Sequence, residues 1–131
     1  MKVLDANFLI DYLNGVDATA TYLLANEDEE FIFPAVAYAE ALAGEGNVPD
    51  GDVAEATAEL AWGTVYETDG QTATIAGEIA DEIGPQGPFL TGMDALIAAV
   101  GRELGAPIVS ADSDLTHEET QTVVDIEEYR E

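Results

Sequence analysis

Four carboxylates stand in apolar company at widely separated points of this chain. Asp5 ends Met1-Lys2-Val3-Leu4; Glu40 interrupts Ala35-Val36-Ala37-Tyr38-Ala39 and Ala41-Leu42-Ala43. Asp94 opens Ala95-Leu96-Ile97-Ala98-Ala99-Val100, and Asp112 follows Pro107-Ile108-Val109-Ser110-Ala111, with Asp114 two residues on. An acid in a segment that folds inward must be neutralised, hydrogen-bonded or bound to a cation. Several such acids from distant segments point to one shared cation site. Oxygen donors of this kind suit hard divalent ions such as Mg2+ and Mn2+.

Each acid also has a plainer reading. Asp5 stands where a strand gives way to a helix, so it, or Asn7, can cap that helix. Asn7 can alternatively donate to a carboxylate or a phosphate. Thr91-Gly92-Met93-Asp94 has the form of a capping box, with an acid favourably placed on the helix dipole. Ser110-Ala111-Asp112-Ser113-Asp114 suits a polar turn as well as a hydrated divalent ion. Glu40 is the sharpest case. Its helical neighbours at three and four residues are Val36, Ala37, Ala43 and Gly44, none of which can form a salt bridge with it. That pattern predicts an inward-packed face around Glu40; the plainer alternative is a Glu at the edge of the apolar stripe, stretching to water. Asp11 reads as a solvent-facing helical acid, with projection from the first helix toward the same edge as the alternative, and His117 reads as a loop residue. Trp62 and Tyr66 read as core or partner surface.

The elements that must position these residues follow from the apolar pattern. Met1–Ala6 predicts a short buried strand and Asn7–Asn14 a helix ended by Gly15. A second helix runs from Asp17 to about Ala25. Phe31–Phe33 predicts a strand, and Pro34 starts a helix that gives way to a Gly-, Pro- and Asp-rich loop over Gly44–Gly51. Further helices are expected at Asp52–Ala61, from Thr68 or Asp69 to Ile83, and at Asp94–Leu104. Gly84-Pro85 and Gly105 serve as stops. Short strands are expected at Thr64–Tyr66, Ile108–Val109 and Val123–Ile126, followed by a charged tail over Glu127–Glu131. Strands alternating with helices predict an α/β fold, a parallel sheet covered on both faces. Ligands bind such sheets beyond the carboxyl ends of the strands, where Asp5 and Asp112 both stand.

With 131 residues, 47% of them hydrophobic, the chain reads as one globular domain over 1–131. It has no cysteine and one histidine, which excludes disulfides and argues against a structural zinc site. No apolar run approaches the ~20 residues of a membrane span, and early acids argue against a secretory signal. The expected location is the cytoplasm, with no membrane association. The charge is extreme: 28 acids against 3 basic residues, net −25. Such a chain repels itself at low ionic strength. It suits molar salt, where the screening length is about 3 Å. The acids are dispersed over the chain, which favours a halophile's surface over an acidic decoy of nucleic acid.

The order of these pieces resembles the PIN-domain ribonucleases, in particular the toxins of VapBC-type toxin–antitoxin pairs. Val3-Leu4-Asp5-Ala6-Asn7-Phe8-Leu9-Ile10-Asp11-Tyr12-Leu13 is similar to that family's first motif. Glu40, on the helix after the second strand, matches its second acid. Asp94-Ala95-Leu96-Ile97-Ala98-Ala99 resembles its third motif, and Ser110-Ala111-Asp112-Ser113-Asp114-Leu115 its last. The resemblance spans nearly the whole chain, and its weight lies in the joint order of the motifs. It implies a three-layer α/β/α sandwich and hydrolysis of RNA with Mg2+ or Mn2+. It further implies a frequent homodimer and inhibition by a small antitoxin protein. The resemblance makes Asp5, Glu40, Asp94 and Asp112 the catalytic acids and metal ligands, with Asp114 as a further ligand. Two features depart from the pattern. Only Lys2, Arg102 and Arg130 are basic, and Leu115 stands where an aromatic is common.

Two other classes remain to be weighed. Phosphotransfer domains such as receivers and haloacid-type phosphatases also gather aspartates and Mg2+ on a parallel sheet. They need a lysine late in the fold, and here the sole lysine is Lys2. The phosphatase pattern also needs a second acid where Asn7 stands. A catalytically silent PIN-like binding module would use its grooves for a partner and its acids only for solubility; metal titration separates it from a nuclease.

Overall fold

The three most apolar strand segments form the middle of the sheet. In the computed structural model, which describes residues 1–130, β1 (Lys2–Leu4) is flanked by β2 (Phe31–Pro34) and β4 (Ile108–Ser110), all nearly free of solvent. The outer strands are β3 (Thr64–Tyr66) and β5 (Ile126–Glu128), giving the order β3-β2-β1-β4-β5 with every pairing parallel. Strands without alternation, such as Phe31-Ile32-Phe33, are what a sheet covered on both faces requires. Helices on either side complete the α/β/α arrangement expected from the sequence.

The helices are α1 (Ala6–Leu13), α2 (Asp17–Ala25), α3 (Ala35–Gly46), α4 (Val53–Glu59), α5 (Gly70–Ile83), α6 (Gly92–Leu104) and α7 (Glu118–Gln121). α1 packs on α3, and α5 lies along α6. Phe8, Leu9, Phe33, Ile79, Ile97, Ile108 and Leu115 are among the fully enclosed side chains at the centre. α6 approaches β4 closely at Gly101, where an added Cβ would stand 2.7 Å from Ile108 Cδ1. Gly105 ends α6 in the left-handed region, φ 62°, which glycine adopts without a Cβ penalty. Trp62, read from the sequence as core or partner surface, is partly buried against the core: it meets Tyr12, Phe31 and Phe33 edge to face at 5.0–5.7 Å.

Three expectations need correction. α3 continues through Gly44 to Gly46: a helical glycine costs only about 1 kcal/mol, and the packing of α3 on α1 and α4 outweighs it. The last strand is Ile126–Glu128, starting at the last residue of the segment expected. Its Glu127 accepts from Lys2 Nζ at 2.6 Å and Tyr22 Oη at 2.7 Å, so part of the supposed tail is a paired edge strand. Asp11 is not solvent-facing. It accepts from Tyr129 Oη at 2.6 Å and Arg130 Nε at 2.9 Å, tying α1 to the segment after β5. Among the described residues no helix is long and apolar enough to cross a membrane.

Candidate metal centre

After β1 the chain moves outward to β2 and β3; it then returns across β1 to form β4 and β5. The direction of winding therefore changes between β1 and β4. Crevices open at such points beyond the strand ends. Asp5 follows β1 and Asp112 follows β4, one on each side of this crevice.

Asp5 is 2% exposed. One oxygen accepts from Phe8 N at 2.9 Å, which caps α1; the other accepts from the Ser110 hydroxyl. The capping role and a place in the crevice thus coexist. Burial pushes the Asp5 carboxyl up to about 6 against the hydrogen bonds from Ser110 and Phe8, and the charges of Asp112 and Asp94 push the same way. Ser110, itself fully buried, also accepts from Asp112 N at 2.9 Å. This serine couples the two loops on either side of the switch point.

Asp112 Oδ1 accepts from Asp114 N at 2.8 Å and Leu115 N at 3.2 Å. The turn is therefore the ordinary polar turn the sequence allowed, and Asp112 lines the crevice all the same. Thr91 caps α6 by accepting from Asp94 N at 3.1 Å. It thereby fixes Asp94 in the first helical turn. Asp94 is likewise pushed up to about 6, first by burial, then by Asp112 and Asp114; hydrogen bonding with Thr91 opposes this, and Glu40 adds a smaller push. Mutual repulsion is thus present in both carboxyls, but burial is the larger cause.

Asp5, Glu40, Asp94 and Asp112 line one pocket of about 250 Å³, together with Ala6, Asn7, Thr91, Met93 and Ile97. Glu40 contradicts the expectation of an inward-packed face. It is exposed, because Ala43 and Gly44 on that side of α3 are exposed too; it forms a wall of the pocket from the solvent side. Asp114 is not part of that wall, but one oxygen each from Asp94, Asp112 and Asp114 lies within 4.8 Å of the others. The donor set is all oxygen, and no basic side chain lines the pocket among the described residues. Carboxylates gathered without a protein cation fit a hard divalent ion.

The sequence did not single out Met93 and Ile97 as pocket residues; their place in the apolar stripe of α6 gave no separate signal. Nor did it flag Arg130, whose guanidinium feels Tyr129 and Asp11 first and Asp5 more weakly. It belonged to a segment read as tail. His117 caps α7, its Nδ1 accepting from Glu119 N at 3.1 Å.

The folds of toxin structures follow this one closely. A toxin–antitoxin complex from Klebsiella pneumoniae has a chain that superposes with TM-score 0.78 at 15% identity, covering 100% of this chain and 99% of that one. A DNA-bound VapBC from Salmonella typhimurium gives TM-score 0.79 at 20% identity, with 98% of both chains covered. A sarcin–ricin loop cleaving VapC toxin from Mycobacterium tuberculosis gives 0.66 at 14%, covering 95% and 96%. At these identities the likeness establishes the fold. No curated protein matches the sequence. The model of the PIN domain matches residues 2–119, nearly the whole sheet and every acid of the pocket, and the chain belongs to the PIN domain family.

Proposed function

We propose that this protein is a divalent-metal-dependent endoribonuclease, the toxin of a toxin–antitoxin pair, adapted to high salt. The observation that carries the reading is the convergence of Asp5, Glu40, Asp94 and Asp112, from four distant segments, on one pocket at the β1–β4 switch point. Asp94, Asp112 and Asp114 would hold the ion directly, and Asp5 and Glu40 would hold it directly or through water. A bound Mg2+ or Mn2+ supplies Lewis-acid stabilisation of the phosphate and a more acidic water. The carboxylates would orient the attacking water, and the Asn7 amide, which lines the pocket, would donate to a phosphate oxygen. Thr91 and Ser110 keep Asp94, Asp5 and Asp112 in place.

A single domain over 1–131 is part of the reading, since one sheet takes strands from Lys2 to Glu128. So are a homodimer, a small antitoxin partner and a cytoplasmic location; the matched complexes with antitoxins support the partner. The phosphotransfer alternative loses further ground. Lys2 begins β1, at the opposite end from Asp5, and is paired with Glu127. The test is cleavage of varied RNAs in molar KCl with Mn2+, against EDTA and an Asp94→Asn control. Mn2+-dependent cleavage absent from the variant supports the proposal. A protein that binds no Mn2+ and cuts no RNA is the silent binding module instead.

A further inference from the structure

Of the ten aromatic side chains, Phe89 is the one exposed aromatic among the described residues, at 88%. Its place is specific. It stands two residues before Thr91, which lines the metal pocket, and four before Met93, which lines it too and is 39% exposed. Leu90 between them packs against the core and anchors the segment. At most about 7 Å of backbone therefore separates Phe89 from the pocket wall.

The charge of the molecule shows what such a residue can contribute. A ribonuclease ordinarily grips its substrate through lysine and arginine contacts to phosphate. Here each basic side chain is already paired: Lys2 with Glu127 at 2.6 Å, Arg102 with Glu82 at 2.7 Å, and Arg130 with Asp11 at 2.9 Å. The rest of the surface is acidic, net −25. Coulombic attraction between protein and RNA is missing, and molar salt would screen it in any case. Base–aromatic stacking needs no charge, since every base has a π-face. It relies on apolar burial, which is not Coulombic and so is not lost to screening at molar salt.

We propose that Phe89 stacks on an unpaired nucleobase beside the scissile phosphate and supplies a main share of RNA binding. The proposal rests on the ribonuclease reading of the pocket. A phenyl ring has no hydrogen-bonding group, so the contact reads whether a base is unstacked and not which base it is. Single-stranded or looped RNA is therefore bound in preference to duplex.

The test compares Phe89→Leu, which keeps apolar bulk but loses the ring, with Phe89→Trp, which restores a ring. Binding of a fluorescent single-stranded oligoribonucleotide is measured on an Asp94→Asn background in 2 M KCl. KM and kcat are measured with Asp94 intact. Stacking of one base is worth about 5- to 160-fold in affinity. Phe89→Leu is expected to raise Kd and KM within that range with kcat unchanged, and Phe89→Trp to restore both. An abasic nucleotide at one position near the cut should weaken binding equally, with no further loss when combined with Phe89→Leu. Wild-type cleavage with Kd and KM unmoved in Phe89→Leu overturns the stacking role and leaves the ribonuclease reading intact. No RNA binding by any variant overturns both. A shift of Phe89→Leu from dimer to monomer in sedimentation, with Kd for RNA unchanged, overturns stacking in favour of a contact between copies of the chain.

Discussion

Replacing Asp94 by Asn should stabilise the metal-free protein while abolishing its response to Mn2+. In the fold the Asp94 carboxyl is raised from 3.8 to about 6 by burial and by Asp112, Asp114 and Glu40, a difference that corresponds to about 3 kcal/mol. The side chain is partly exposed, so solvent screening halves this to roughly 1.5 kcal/mol. Asn forgoes the favourable placement of a carboxylate on the α6 dipole, worth about 0.5 kcal/mol. The net is a gain of about 1 kcal/mol, or roughly 4 °C in Tm for a chain of this size. The sign depends on pH. A carboxyl whose folded pKa is raised weakens the fold as pH climbs from about 4 through about 6. The advantage of the variant is therefore absent at pH 4 and complete by pH 7. Addition of Mn2+ reverses the order, because an ion held at a hundred times its Kd stabilises the wild type by about 2.7 kcal/mol. Thermal melts of both proteins followed by circular dichroism in 2 M KCl, with EDTA or Mn2+, at pH 5 and 8, give the eight values required. If the variant melts below the wild type in EDTA at pH 8 and both gain equally from Mn2+, Asp94 is a helix-capping acid and not a ligand.

Ser110→Ala removes the hydroxyl donor to Asp5 and the acceptor for Asp112 N. It should cost about 2–3 kcal/mol in urea titration at pH 8. The loss should shrink below pH 6, as Asp5 takes up its proton. Gly101→Ala forces a Cβ toward Ile108 and the Ala106 carbonyl. It should lower stability by about 1–3 kcal/mol while the rise in Tm on adding Mn2+ stays as in the wild type. Mn2+-dependent cleavage should increase from low salt into the molar range, because screening permits a polyanion to approach a surface of net −25. Circular dichroism in the same buffers separates this from folding, and activity highest at low salt with the fold unchanged would contradict it.

The parts of the fold that showed in the sequence are those where burial and pattern agree. β1, β2 and β4 are short apolar runs because both faces of the sheet are covered there, and α6 is apolar because it lies between α5 and β4. β5 and α7 were misread or missed because their residues serve other ends. Glu127 in β5 answers Lys2 and Tyr22. α7 is four polar residues capped by His117, with no apolar period to find. Glu40 shows a similar limit: small neighbours suggested burial, but alanine and glycine are as compatible with an open wall as with a packed one.

The acids are harder to read than the strands because this chain uses carboxylates for two purposes. With 28 of them, type alone distinguishes nothing; what separates the pocket from the surface is the backbone that holds each group. Asp5 is fixed by Phe8 N and Ser110, Asp112 by the amides of Asp114 and Leu115, and Asp94 by the Thr91 cap. Surface acids such as Glu27 and Glu118 are simply exposed. Asp5 and Asp112 were individually explicable as a cap and a turn, and both of those local roles are real. The local role is what holds the carboxylate: Asp5 is fixed by the α1 cap and by Ser110 while it lines the pocket. Capping and ligation are therefore compatible at these positions, and a switch point between β1 and β4 is where the two can be satisfied at once.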